Sequence, residues 1–423
     1  MEGFLKLKQE SIFQNKSFML LLMGQIVSNL GNAVHSVAVS WFIMNTVGKE
    51  LSGTYMGIFG ACVLIPYIIC GPLSGVYVDR ISRKKIIVGT DLIRGSLIVL
   101  LGGLVYLNIY PMISLFTITF LSALFGSFFN PAVDASIPNI VAEKDLTQAN
   151  SLNGMSRQLT WIIGGAISGF LYYKLGIIGI FLVNGISFIL SGISETFIKL
   201  PHVKKESNES SSFWSDFKGG VKYVKNQKTL MRVMVFSLVL NFIYSPIFQI
   251  VFPKTLKFTL DMGAREYGIL QSLFPVGAML GMVALSSFKV LQDNHRVVKL
   301  AILIQSIFFI GFGIPIISTM LDHLGNSNVY ILYCILAVLL MICNAFINIP
   351  FFTALQKKVP DEYRGRFFGL LNTLSQGIVP IGLGFYGFIS DLVLPSVIFI
   401  GSGIVALLMG VWIIGTTDFK EIL

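Results

Sequence analysis

FMLLLMGQIVSNLGNAVHSVAVSWFIMNT, running from Phe18 to Thr46, decides what kind of chain this is. It holds no Asp, Glu, Lys or Arg, and it is longer than the ~20 apolar residues a helix needs to cross the hydrocarbon core of a bilayer. Further blocks of the same kind follow at about 53–77, 86–107, 110–133, 159–175, 177–198, 230–252, 265–287, 298–319, 329–351, 368–390 and 395–416. Gly176 marks the break between the fifth and sixth, and Pro395 lies at the break between the last two. Only helices and closed barrels satisfy their backbone groups in lipid, and these blocks are too long and continuous for barrel strands. The fold class expected is therefore an all-α integral membrane protein with about twelve transmembrane helices, numbered here as spans one to twelve.

Composition points the same way. The 423 residues are 54% hydrophobic and only 12% charged, about half the charge of an average soluble domain, and the mean hydropathy is +0.77. A water-soluble globule could not hide that much apolar surface. The 13% aromatic content with low charge excludes a disordered chain. The net charge of +10 does not indicate nucleic acid, because the charges gather in short loops between apolar blocks. With the N-terminus in the cytoplasm, the inside loops collect Lys6, Lys8, Lys16, Arg83, Lys84, Lys85, Lys204, Lys205 and most other cations. Outside fall only Lys49, Lys174, Lys254, Lys257 and Arg265. The positive-inside rule then puts both termini in the cytoplasm of a multi-pass protein of the cell membrane. The start, MEGFLKLKQESIFQNKSF, shows no cleavage site, so the first span is expected to be retained.

Residues 200–229 are polar and interrupt the chain near its middle. Phe213, Phe217, Val221 and Val224 recur there at helical spacing among lysines, either as an amphipathic helix on the membrane surface or as a solvated linker helix. The expected organisation is six spans in 1–199, a cytoplasmic linker in 200–229 and six spans in 230–423. The halves also look related. VAEKDLTQANSLN (Val141–Asn153) follows span four, and VPDEYRGRFFGLLN (Val359–Asn372) follows span ten, at an offset of about 218 residues. Asn130 and Pro131 precede the first of these, Asn348 and Pro350 the second. Transporter folds are commonly built from such repeats.

Polar side chains inside spans are the candidates for function, since they cannot face lipid cheaply. In span one Gln25, Asn29, Asn32 and His35 or Ser36 fall on one helical face. Asn241, Tyr244 and Gln249 do the same in span seven, and Asn344 and Asn348 in span ten. Hydrogen bonding between packed helices is the plainer use of any one of them. His35, with an ordinary pKa of about 6.5, is a candidate proton carrier or else a packing residue. Asp91 and Arg94 stand one turn apart in span three, as a self-neutralising pair, a pair for conformational coupling or, through Asp91, a proton carrier. Asp134, at the cytoplasmic end of span four, is a third proton candidate. Trp41, Phe242 and Phe248 could pack against a large apolar ligand.

Between spans two and three lies GVYVDRISRKK, Gly75 to Lys85. Gly71 and Gly75 give a small-xxx-small face for close helix approach, and Asp79 beside Arg80 and Arg83 can form charge-assisted bonds at a helix end. An ordinary positive-inside anchor is the simpler reading. The segment resembles the cytoplasmic loop signature of the major facilitator superfamily, Gly-x-x-x-Asp-Arg-x-Gly-Arg-Arg/Lys. Gly75, Asp79, Arg80, Arg83 and Lys84 match it, and Ser82 stands where a second glycine is common.

The resemblance implies two pseudo-symmetric six-helix bundles around a central cavity lined by spans one, four, seven and ten. It implies that the loop, with Asp91 and Arg94 joined to it, latches the two halves on the cytoplasmic side. The loop, the stretches after spans four and ten and the first span together resemble the macrolide-efflux-like branch. That implies a secondary active drug exporter: proton-coupled efflux of bulky hydrophobic compounds by alternating access, acting as a monomer and contributing to drug resistance. Siderophore or lysophospholipid transport is the alternative within the same fold. Gly164–Gly169 occupies the place of the glycine-proline motif of many antiporters in the superfamily, with Gly165 where the proline stands; these small residues, like Gly277 and Gly281 in span eight, are expected to pack closely against the opposite half. The chain has no GxxxxGK[ST] loop, metal-type Cys/His spacing or Gly-x-Ser-x-Gly elbow. No cofactor, metal or enzymatic activity is expected, and Cys62, Cys70, Cys334 and Cys343 read as small core residues.

Overall fold

Each long apolar block of the sequence forms helix in the computed structural model, which describes residues 12–200, 219, 221–225, 227–287 and 295–416. At Pro72, Leu73, Gly75, Val76, Asp79, Arg80 and His295 it describes the backbone only. Among the described residues ten helices are long and apolar enough to cross a membrane, and two of them carry two expected spans each. Lys16–Arg80 breaks at Gly48 (φ 73°, ψ −172°), and Leu146–Glu195 breaks at Gly176 (φ 63°, ψ −176°). A Cβ at either glycine would meet nothing within 4 Å, so what requires glycine there is the backbone conformation itself. The remaining spans are Arg83–Tyr106, Pro111–Ile140, Lys228–Phe258, Ala264–Ser287, Arg296–Ile316, Asn326–Lys358, Asp361–Leu392 and Pro395–Gly415. The chain is a multi-pass membrane protein.

Local sequence sets the irregularities. Asn15 caps the first helix by accepting from the Phe18 N–H at 3.1 Å, while its amide donates to the Ile140 carbonyl at 2.5 Å. That bond ties the start of span one to the end of span four. Span seven is not a regular α-helix. Pro246 closes Lys228–Pro246, the π-helical segment Ile247–Val251 follows, and Phe252–Phe258 resumes the α-helix. The proline has no N–H to keep the i→i−4 ladder in register, and one wide turn absorbs the offset.

Two compact units form. The first comprises 1–42, 61–208 and 264–269; the second comprises 43–60, 209–263 and 270–423. Two short stretches thus pack with the unit that holds mainly the other half of the chain. In the first unit, Phe18, Leu21, Ile87, Phe129, Ile137 and Ala149 form one apolar core. In the second, Phe252, Phe312, Tyr333 and Phe399 build a buried aromatic cluster with ring centroids 4.9–5.9 Å apart, and the Tyr333 hydroxyl donates to the Phe312 carbonyl. Of the expected linker helix, 221–225 is helical. Val224 is buried with Leu230, Val233 and Phe367, and Tyr223 stacks on Tyr363 at 4.4 Å. Phe213 and Phe217 lie outside the described residues.

Candidate functional site

In the first unit, three spans bring ionisable side chains together away from water. Asp91 on span three is fully buried and accepts from Ser28 Oγ of span one at 3.2 Å. Arg94, one turn on, sits 3.9 Å from Asp91 Oδ1, an ion pair too long to be a hydrogen bond. Its guanidinium lies 4.2 Å over the Phe188 ring of span six, a cation–π contact. Glu195, the last residue of the helix carrying span six, is also fully buried and accepts from Ser191 Oγ at 3.3 Å. Gly24 of span one is what lets these groups close in. A Cβ there would stand 2.8 Å from Ser191 Oγ and 2.9 Å from Glu195 Oε1. Several polar atoms end without a hydrogen-bond partner: Asp91 Oδ1, Glu195 Oε2, Arg94 Nε, His35 Nδ1 and both amide atoms of Asn184. Orphaned polar atoms are uncommon in protein interiors and call for a reason.

The second unit holds a different arrangement. Asp391, at the end of span eleven, gathers four donors. Its Oδ1 accepts from the Gly53 N–H at 2.8 Å and from the Lys254 ammonium; its Oδ2 accepts from the Thr54 N–H at 2.8 Å and the Thr54 hydroxyl at 2.7 Å. Lys254 also donates to the Ser390 carbonyl at 2.7 Å. Only 5% of the Lys254 side chain and 6% of the Asp391 side chain are exposed. Glycines make the approach possible: a Cβ on Gly57 would lie 2.6 Å from the Leu383 carbonyl oxygen, and one on Gly387 2.8 Å from that of Gly53. Lys254, read above as an outside-loop cation, is thus a buried partner in a charged clasp.

The other expected positions fall as follows. Gln25 is buried and Asn29 and Asn32 are half-buried, all in the first unit. His35 packs its ring 5.3 Å from Phe181, and Trp41 is buried and stacks on Tyr267 at 5.4 Å. In the second unit, Asn241 donates within its own helix to Ser237, Tyr244 packs on Phe309, and Gln249 donates to Ser245 Oγ. Asn348 donates to the Asn344 backbone and side-chain oxygens at 3.0 and 2.9 Å. Asp134 is exposed and pairs with Arg157 at 3.2 Å. Arg83 donates to the Ala135 carbonyl at 2.7 Å, and Lys84 is half-buried. The side chains of Gly75, Asp79 and Arg80 lie outside the described residues.

Small residues pack closely, but Gly277 and Gly281 do so against their own half rather than the opposite one. Gly165 and Gly169 of span five meet Arg265 and Gly268 inside the first unit, and Gly277 and Gly281 meet span ten inside the second. An apolar groove of about 640 Å³ in the second unit runs between spans seven, eleven and twelve. Its polar lining residues, Tyr386 and Ser402, hydrogen-bond each other at 2.9 Å. Sequence reading passed over Glu195 and Asp391. An acid four residues after a serine inside an apolar block was a visible signal for Glu195. Asp391 gave none, because its partners lie more than a hundred residues away.

Comparison with known proteins completes the description. A family model described as Major Facilitator Superfamily matches residues 21–383. Macrolide efflux protein A of Streptococcus pyogenes is 23% identical over 372 residues, covering 86% of this chain and 87% of that protein. Macrolide efflux protein A of Enterococcus faecalis is 24% identical over 327 residues, covering 75% and 96%. A bacterial homologue of the iron transporter ferroportin, solved in an inward-facing state, matches with a TM-score of 0.72 at 15% identity, covering 96% of this chain and 100% of that one.

Proposed function

The chain belongs to the Major Facilitator Superfamily, and from that premise we propose that it exports bulky, moderately hydrophobic compounds of the macrolide kind, driven by the proton gradient. It is a transporter of small molecules rather than an enzyme. The observation that carries the export reading is the likeness, over most of the chain, to two proteins named for macrolide efflux. The protein works as a monomer in the cell membrane with both termini in the cytoplasm, where most of its loop cations lie.

Alternating access supplies the mechanism. Binding on one side and release on the other needs a polar lock at each end of the path, because lipid-embedded helices gain no hydrophobic energy by separating or meeting. The Gly75–Lys85 loop serves as the cytoplasmic lock, its Arg83 donating to the Ala135 carbonyl of span four. The Asp391–Lys254 clasp at residues 53–54 serves at the other face. The polar faces of spans one, seven and ten, with Trp41 and Phe248, contact the substrate. No acid lies at mid-depth in those spans, which favours neutral or weakly basic compounds.

Inverted vesicles with an acidic lumen test the reading directly, supplied from outside in turn with erythromycin, a cationic dye, a siderophore and a lysophospholipid. Gradient-dependent accumulation of erythromycin is the expected result. Accumulation of only the siderophore or the lysophospholipid, or accumulation indifferent to a protonophore, would overturn it.

A further inference from the structure

The buried acids of this cluster outnumber the cation paired with them. Asp91 and Glu195 are both fully buried, and Arg94 is the cation beside Asp91. Among the described residues the charged and titratable groups around the pair are few: Arg94 from span three, His35 of span one, whose ring packs on Phe181, and the Tyr67 hydroxyl of span two, close to Arg94 at Gly126. Ser28 and Ser191 supply neutral hydroxyls. Two carboxylates against a single guanidinium would leave a net negative charge out of water, which costs several kcal/mol and is relieved by taking up a proton. Both acids lie on one stretch of span one: a Cβ at Gly24 would stand 2.9 Å from Glu195 Oε1, and Ser28, one turn on, donates to Asp91.

Position decides which of them takes it. Glu195 ends its helix, where the macrodipole is negative and an anion is disfavoured. Asp91 has both Arg94 and the Ser28 hydroxyl to stabilise its charge. The orphaned Glu195 Oε2 is where a proton would sit.

We propose that Asp91 and Glu195 form a proton-binding site that holds a single proton between them, carried on Glu195, with Arg94 fixing the count. Loading is the addition of a proton from water to the Glu195 carboxylate; release returns it to water and leaves the pair doubly charged beside Arg94. Neither carboxyl touches solvent in this conformation, so the proton moves only when the unit rearranges. As the coupling site, it rests on the proton-driven export reading.

Infrared spectroscopy of the full chain in liposomes at neutral pH tests the site without any substrate, by counting carboxylic-acid C=O stretches that shift in deuterated water. The wild type should show one buried acid. Glu195→Gln and Asp91→Asn should each show none, because one carboxylate then balances Arg94. Arg94→Gln should show two. A wild-type band that is absent, or that survives in both Glu195→Gln and Asp91→Asn, overturns the site. Erythromycin efflux driven by a pH gradient separates the two readings. Full gradient dependence in both acid variants would remove the pair from coupling and leave proton-driven export intact. No gradient dependence in the wild type would sink proton-driven export while the band count still stood.

Discussion

Replacing Asp391 by Asn should loosen the clasp at residues 53–54, and the structure allows the size of the effect to be worked out. Four donors converge on the Asp391 carboxylate. An amide keeps one acceptor oxygen and turns an NH₂ toward either the Gly53 side or the Thr54 side, so donor faces donor in both rotamers. The Lys254 charge then stays buried with the Ser390 carbonyl and no counter-ion. Removing one partner of a buried ion pair costs about 3–5 kcal/mol. At about 1.4 kcal/mol per tenfold, the balance between clasped and unclasped states moves by roughly two to three and a half orders of magnitude, the lower figure applying because Asn retains an oxygen. Ser52 is fully buried beside the clasp, so a cysteine at that position reports opening. In a chain freed of its four native thiols, a membrane-impermeant maleimide should label Ser52→Cys about a hundredfold faster when Asp391→Asn is present, since labelling follows the open population. Adding Lys254→Met removes the orphaned charge and should restore at least tenfold of that rate, a coupling that distant independent sites do not show. Labelling within twofold of the parent would refute the reasoning.

Three further outcomes are expected, the first from the loop motif and the others from the geometry. Asp79→Asn should abolish or sharply reduce efflux while membrane insertion, measured by surface labelling of a tagged loop, stays normal; unchanged flux removes the cytoplasmic lock. His35→Gln should keep the full pH dependence of efflux, because His35 packs against Phe181 while the Asp91–Glu195 pair carries the proton; a flattened profile would reassign the proton to His35. Gly57→Val puts a branched side chain where a Cβ already lies 2.6 Å from the Leu383 carbonyl, and overpacking of this kind costs about 1–3 kcal/mol. It should lower the thermal midpoint and raise Ser52→Cys labelling in parallel, and a change in neither would mean that spans two and eleven have room there.

The helices were legible because a bilayer imposes one length and one kind of composition on them. Gly176 could be read as a break in a continuous apolar run, and the positive φ it adopts is the physical reason that run cannot stay one helix. The Asp91–Arg94 pair was legible for a similar reason: residues three apart meet on any helix. Glu195 joins them only because span six packs across span one at Gly24, and no spacing within one helix encodes that. The clasp was hidden more deeply. Lys254 and Asp391 are separated by 137 residues, and the positive-inside count treats every cation near a span end as solvent-facing. A lysine can be buried at low cost only beside a carboxylate, and that partner is set by tertiary packing.

The two glycine-lined contacts show why ionic groups rather than packing would set the balance of such a protein. In the second unit, Gly53 and Gly57 lie against Leu383 and Gly387; in the first, Gly268 and Arg265 lie against Gly165 and Gly169. Gly387 and Gly169 are 218 residues apart, the same offset that relates Val359 to Val141, so the two contacts are the repeat's versions of one another. Backbone brought against backbone through glycine gains dispersion energy at both places, and similar gains cancel when one contact is exchanged for the other. Asp391 and Lys254 break that equality. Tyr173 holds the place of Asp391 in the first repeat, so the carboxylate is present at one contact and not at its counterpart. On the proposed alternating-access mechanism, one acid and one lysine would set the resting preference for the clasped state, and a ligand that reverses it would have to supply differential binding energy of the same few kcal/mol.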